Sequence, residues 1–238
     1  MLKKTVMAAL VVSALAGCSA MEGMTSATVD RAEVSQNLAK TCAELGEKYT
    51  PVSVAVDTAS QAMVSIQKRQ CSVFGEYRTL ASKHADVAGF LAVNADKSDE
   101  ELLVAMNEFD AGKPAKKKIR PQVEAYKNAS DAIFDKNVQL AADLAIQAAK
   151  ITYIATQNGT ALAQDTMKGG LGSIFASLSN ETKKEGEKEE VVPVVEAYNE
   201  LKARSVLAYD ANDLISMDKN TIEQLENLDK VLAEKVKA

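Results

Sequence analysis

The sequence predicts an all-α protein, an elongated helical bundle with two long helices and several shorter ones. Composition is the first reason. The 238 residues include no Trp, five Phe, six Tyr and four Pro, and are rich in Ala, so helix formers outnumber strand formers. The second is periodicity, because apolar residues recur at alternating spacings of three and four over long stretches. The third is punctuation: several of these stretches open on a capping box or on a proline followed by an acid.

In chain order, Met1 to Lys4 carries two lysines, and Thr5 to Ala14 is apolar apart from Thr5 and Ser13. The run closes on Ala14, Ala16 and Gly17 before Cys18. A basic start, an apolar middle and a small-residue end have the layout of a secretory signal. Thr5 to Gly17 is too short for the roughly 20 residues a helix needs to span hydrocarbon, so a transmembrane anchor is not expected. Leu15-Ala16-Gly17-Cys18 resembles the lipobox of bacterial lipoproteins. That resemblance implies cleavage before Cys18 and acylation of Cys18, which converts "spanning" into "lipid-anchored". In the lipoprotein sorting pattern an aspartate after the cysteine retains the protein at the inner membrane. Ser19 therefore implies the outer membrane, with the protein facing the periplasm. On this reading residues 1–17 are a cleaved signal peptide and 18–27 a lipidated tether. Residues 28–238 are a helical bundle domain with a charged linker near 180–190. Ser19 to Ala27 shows no apolar period, and nine extended residues reach about 30 Å at most.

Asp30-Arg31-Ala32-Glu33 has capping-box spacing, and Val34, Leu38 and Leu45 follow on one face, which predicts a helix over 29–48. From Pro51, a heptad-like seam runs through Val56, Met63, Ile66, Gln70, Val73, Tyr77, Leu80, His84, Val87 and Leu91. A competing reading makes Pro51 to Val56 a strand and starts the helix at Thr58; the helix is preferred because no partner strand is visible. Ser98-Asp99-Glu100-Glu101 is another capping box, opening a short helix that carries Leu102, Leu103, Met106 and Phe109. Gly112 to Pro121 is a basic connector. Val123, Tyr126, Ile133, Leu140, Leu144, Ala148, Ile151 and Ala155 then mark a second long helix. Between Asn137 and Gln164 its only charges are Asp143 and Lys150, the pattern of a helix buried in the middle of a bundle. Gly169, Gly170 and Gly172 end it, and Asn180 to Glu190 reads as a surface linker. Pro193 opens a helix to about Ser216, and Asn220 with Glu223 caps a last one. "PQVEAY" at Pro121 and "PVVEAY" at Pro193 differ at one position; one reading is a common helix opening, the other an old duplication of a helical hairpin whose likeness decays within eight residues.

Processing would remove two lysines, leaving 26 basic and 33 acidic side chains, a net charge of −7. This acidity argues against a nucleic-acid binder. It would also leave Cys42 and Cys71 as the remaining thiols, in a chain exported to oxidising conditions. A bridge between them is the expectation, but it needs a connector that doubles back. In a tight hairpin turning at Thr50 the two cysteines would sit about 20 Å out of register, against the roughly 7 Å that a disulfide tolerates. Without that connector the thiols stay unpaired.

His84 is the sole histidine and lies on an apolar seam, where it reads as a packed residue. Without a second His or a spare Cys, no metal site is expected. "KGGLGS" at Lys168 to Ser173 lacks P-loop spacing, and no serine sits in a nucleophile elbow. No cofactor and no enzymatic activity are expected. Lys113, Lys116, Lys117, Lys118 and Arg120 form the densest basic cluster, suited to an anionic surface or an acidic partner. The function expected is that of a non-enzymatic lipoprotein that binds an envelope partner or organises an envelope assembly. The alternative is a carrier of a hydrophobic ligand or a membrane-active helical protein, using the poorly charged stretch from Asn137 to Leu178. Heptad-like seams can be satisfied within or between chains, which leaves a homo-oligomer open.

Overall fold

The computed structural model describes residues 31–158 and 193–237. They form six α-helices and one 3-10 turn, with no strand among the described residues. These are α1 (Arg31–Glu44), α2 (Val54–Lys83), α3 (Ala85–Asn94), α4 (Asp99–Asp110), the turn Ala115–Lys117, α5 (Ile119–Gln157) and α6 (Pro193–Lys237). The signal, the tether, Asp30, the glycine-rich stop and the charged linker lie outside the described residues.

Helices α2, α5 and α6 make a three-helix bundle. Gln70 meets Asn137 while Glu76 meets Lys136, and Asn137 meets Asn212 while Lys127 meets Glu226, so α5 runs antiparallel to both partners. Gln67 meets Arg204 and Tyr77 meets Asp218, so α2 and α6 run parallel. The shared core is built from the apolar seams, with Met63, Tyr126, Leu144, Ile151, Leu201 and Ile215 fully enclosed. Helix α1 lies on α2 and α6, and the α3–α4 pair folds over one end. There the side-chain amide of Gln224 donates to the carbonyl of Lys97 and to Asp99 Oδ1.

Four sequence expectations change. The long seam beginning at Pro51 is two helices. Ser53 caps α2 by accepting from the Val56 amide, so the start is neither Pro51 nor Thr58. At the other end His84 leaves helical geometry at φ −118° and ψ 44°. Its N–H still donates to Leu80 and its carbonyl accepts from Ala88. The three-and-four spacing therefore passes through a bend that lays Phe90 and Leu91 over the bundle end. Helix α1 stops at Glu44 rather than 48, because residues 45–53 are needed as an extended connector.

At the C-terminus the reverse holds: no break separates Ser216 from Asn220, and α6 is one helix of 45 residues. Asp218, Thr221, Ile222 and Leu225 are all buried on one face, and packing of that face overrides the capping preference of Asn220. The Thr221 hydroxyl donates back to the Met217 carbonyl, satisfying it within the helix. Finally, α5 is not buried all round after Asn137. Val138, Ile146 and Tyr153 are each more than half exposed. The missing charges mark an uncharged outer face, since every helix of a three-helix bundle keeps one side in solvent.

Candidate functional site

Cys42 and Cys71 are joined in a disulfide with their Cα atoms 5.7 Å apart. The doubling-back connector makes this register reachable. Residues 45–53 run back along α2 as an extended strap, whose nine residues can cover about 30 Å. That matches the ~26 Å of helix from Val54 to Cys71. Gln67 donates to the Leu45 carbonyl at 2.6 Å, and Gln61 donates to the Tyr49 hydroxyl at 2.8 Å. From α6, Arg204 donates to Gln67 Oε1 through Nε, and to the Gly46 and Lys48 carbonyls through one terminal nitrogen. Burial of this guanidinium lowers its pKa, and the nearby Glu200 partly offsets the effect. Glu200 in turn accepts from both the amide and the hydroxyl of Thr50. The planar guanidinium fork lets one residue of α6 hold two strap carbonyls and the Gln67 side chain at once.

The densest polar cluster in the interior centres on Asp218. Oδ2 accepts from the hydroxyls of Tyr77 and Tyr126 at 2.9 and 3.0 Å, while Oδ1 accepts from Arg31 at 2.9 Å. Four helices thus converge on one carboxylate. Burial pushes its pKa up, and Arg31 and the two phenols pull it back down. Both phenols are themselves held far above their ordinary values, by burial first and the Asp218 charge second. Asp218 is 1% exposed. An open groove of about 400 Å³ is lined by residues of α4, α5 and α6 that do not include Asp218, and a second of about 300 Å³ lies between α2 and α5. The Tyr–Asp–Arg cluster therefore reads as a tie between helices. Sequence reading placed Tyr77 and Tyr126 on apolar seams and missed their hydroxyls' common acceptor, because it assigned Asp218 to a break.

His84 sits at the α2–α3 bend with its ring edge-on to Tyr126, at 5.6 Å between centroids. Among the described residues no group of three His, Cys, Asp or Glu side chains is placed to hold a metal ion.

The basic connector divides into two roles. Lys113 Nζ lies 3.0 Å from the centroid of the Phe109 ring, and Arg120 pairs with Asp229 at 2.6 Å. Lys116, Lys117 and Lys118, on and beside the 3-10 turn, are exposed. The N-terminus of α5 beyond them is already occupied, since Asp110 accepts from the Ile119 amide at 2.7 Å. The larger groove, whose lining begins at Ile119 directly after Lys118 in the chain, has a floor of Met106, Ile119, Val123 and Leu225 and a rim of Arg120, Glu124, Glu226 and Asp229. An apolar floor beside a charged rim and a basic turn suits a protein surface better than a small reacting molecule. Cys18 lies outside the described residues.

Comparison of the chain with protein-family models, with curated proteins and with solved structures finds no match.

Proposed function

We propose that this protein is a lipid-anchored lipoprotein of the outer membrane, facing the periplasm, that works without catalysis by binding a partner protein in an envelope assembly. The observation that carries the reading is Leu15-Ala16-Gly17-Cys18 behind a basic and then apolar start. The Cys42–Cys71 bridge supports it, because structural disulfides belong to oxidising compartments. The strap, the disulfide and the Asp218 tie support a rigid body, as a binding scaffold requires. The exposed turn at Lys116 to Lys118 and its adjoining groove supply a contact face.

A photocrosslinking amino acid placed at Ala115, exposed on the same turn, tests the binding role in cells, with captured chains identified by mass spectrometry. The reading predicts one dominant envelope protein, lost when Lys116, Lys117 and Lys118 are all changed to Glu. Crosslinks to no protein, or a capture pattern unchanged by the triple variant, would contradict it.

A further inference from the structure

The outer face of α5 carries its own address. Val138, Ile146 and Tyr153 are 54%, 58% and 62% exposed, and Ala142, Ala145 and Ala149 stand exposed between them. These positions share one helical side, opposite the buried Leu144 and Ile151. We propose that this face is a self-association surface whose occupant is α5 of a second copy, packed antiparallel about a two-fold axis between Ala145 and Ile146.

The spacing is self-complementary about that axis. Val138 of one copy falls opposite the partner's Tyr153, and Ala142 falls opposite the partner's Ala149, so small residues face small ones and the helices can approach closely near the dyad. Charge supports the same arrangement. Asp143 and Lys150 are the only charged residues between Asn137 and Gln157, and they flank the apolar face on the same side. Antiparallel pairing brings same-side flanks together and puts Lys150 within two residues of the partner's Asp143, twice by symmetry. A parallel copy would instead carry the two Asp143–Lys150 flanks to opposite edges of the seam, where neither charge meets its counterpart. Asp143 is already held by Arg69 at 2.6 Å, whereas Lys150 makes no ion pair among the described residues. The seam is about 22 Å long and covers on the order of 400 Å² per copy, half of a standard interface. The association it supports is correspondingly weak and concentration-dependent.

The test uses the full chain in cells, carrying single cysteine variants and a short thiol-reactive crosslinker. Ala145→Cys and Ile146→Cys, at the dyad, should each give an adduct of twice the chain mass. Val138→Cys or Tyr153→Cys alone should give several-fold less. Differently tagged Val138→Cys and Tyr153→Cys chains expressed together should crosslink to each other as well as the dyad variants do. Adding Lys150→Glu to Ile146→Cys should cut the adduct several-fold with the helical circular dichroism unchanged. Equal adducts at every position, no adduct at the dyad, or adducts only with a different protein would overturn the proposal. So would protection of these cysteines from labelling by lipid vesicles at concentrations where no dimer adduct forms, because the occupant would then be a membrane.

Discussion

The hydroxyl of Tyr126 on α5 donates to Oδ2 of Asp218 on α6 at 3.0 Å, and this contact fastens the two longest helices at the point where the local sequence of α6 invites a break. Asp218 is 1% exposed, and its two oxygens also take a second phenol and a guanidinium. Such a carboxylate depends on all its donors. Removal of one phenol by Tyr126→Phe is expected to cost about 1.5–3 kcal/mol, as for a hydrogen bond to a charged group. Asp218→Ala should cost about 3–5 kcal/mol, because Arg31 is then left buried without its counter-charge. Urea denaturation of the two variants checks both values.

Asp210, one turn before Leu214 on α6, responds to pH. It is 6% exposed with one oxygen lacking any hydrogen bond, and burial followed by the Asp213 charge pushes its pKa up to about 7. The folded state therefore holds a proton that the unfolded chain releases near pH 4. Stability attributable to this group is present at and below about pH 4 and is lost as pH rises through about 7. Burial raises Asp218 in the same direction. Asp210→Asn should remove most of the loss, on the order of 3 kcal/mol between pH 4 and pH 8. Urea midpoints of wild type and variant at pH 4 and pH 8 should differ little at the first and clearly at the second.

The strap has two independent fasteners. Reduction of Cys42–Cys71 should lower stability by roughly 3–4 kcal/mol, given its separation of 29 residues. Arg204→Leu should act on the strap itself, because the Gly46 and Lys48 carbonyls lose their donor while the disulfide stays closed. Trypsin cleavage after Lys48 should accelerate several-fold in that variant and change less on reduction alone. Timed digestion followed by mass spectrometry separates the two effects.

Charge reversal on the connector should leave the fold alone. Lys116, Lys117 and Lys118 are exposed, and changes at exposed charges away from buried features fall within about 0.5 kcal/mol. The triple Glu variant is expected to keep the wild-type melting transition, measured by circular dichroism, while losing partner capture.

How far the sequence could be read depended on whether a feature is local. The capping box at Ser98 and Glu101 is local, and both of its reciprocal hydrogen bonds are present. The all-α architecture follows from periodicity and composition, and the apolar positions on the seams of α2 and α5 are the buried ones, except for the half-buried Leu80 and Ala155. The His84 bend was hidden because it preserves the three-and-four spacing. The continuity of α6 was hidden because Asn220 has local capping character, while the packing that overrides it comes from α1, α2 and α5. The Asp218 and Arg204 clusters join residues more than 90 positions apart, and no spacing rule announces a shared acceptor over such a distance. The outer face of α5 was read as buried because low charge alone does not distinguish a buried face from an exposed apolar one.

Acylation of Cys18 is what would hold the protein at the membrane. Intact-mass and N-terminal peptide analysis of the protein recovered from bacterial membranes tests it most directly. The expected product is a chain that begins at Cys18 and carries acyl groups, found in the outer-membrane fraction and lost from that fraction in Cys18→Ala. A chain beginning elsewhere, or an unmodified Cys18, would contradict it.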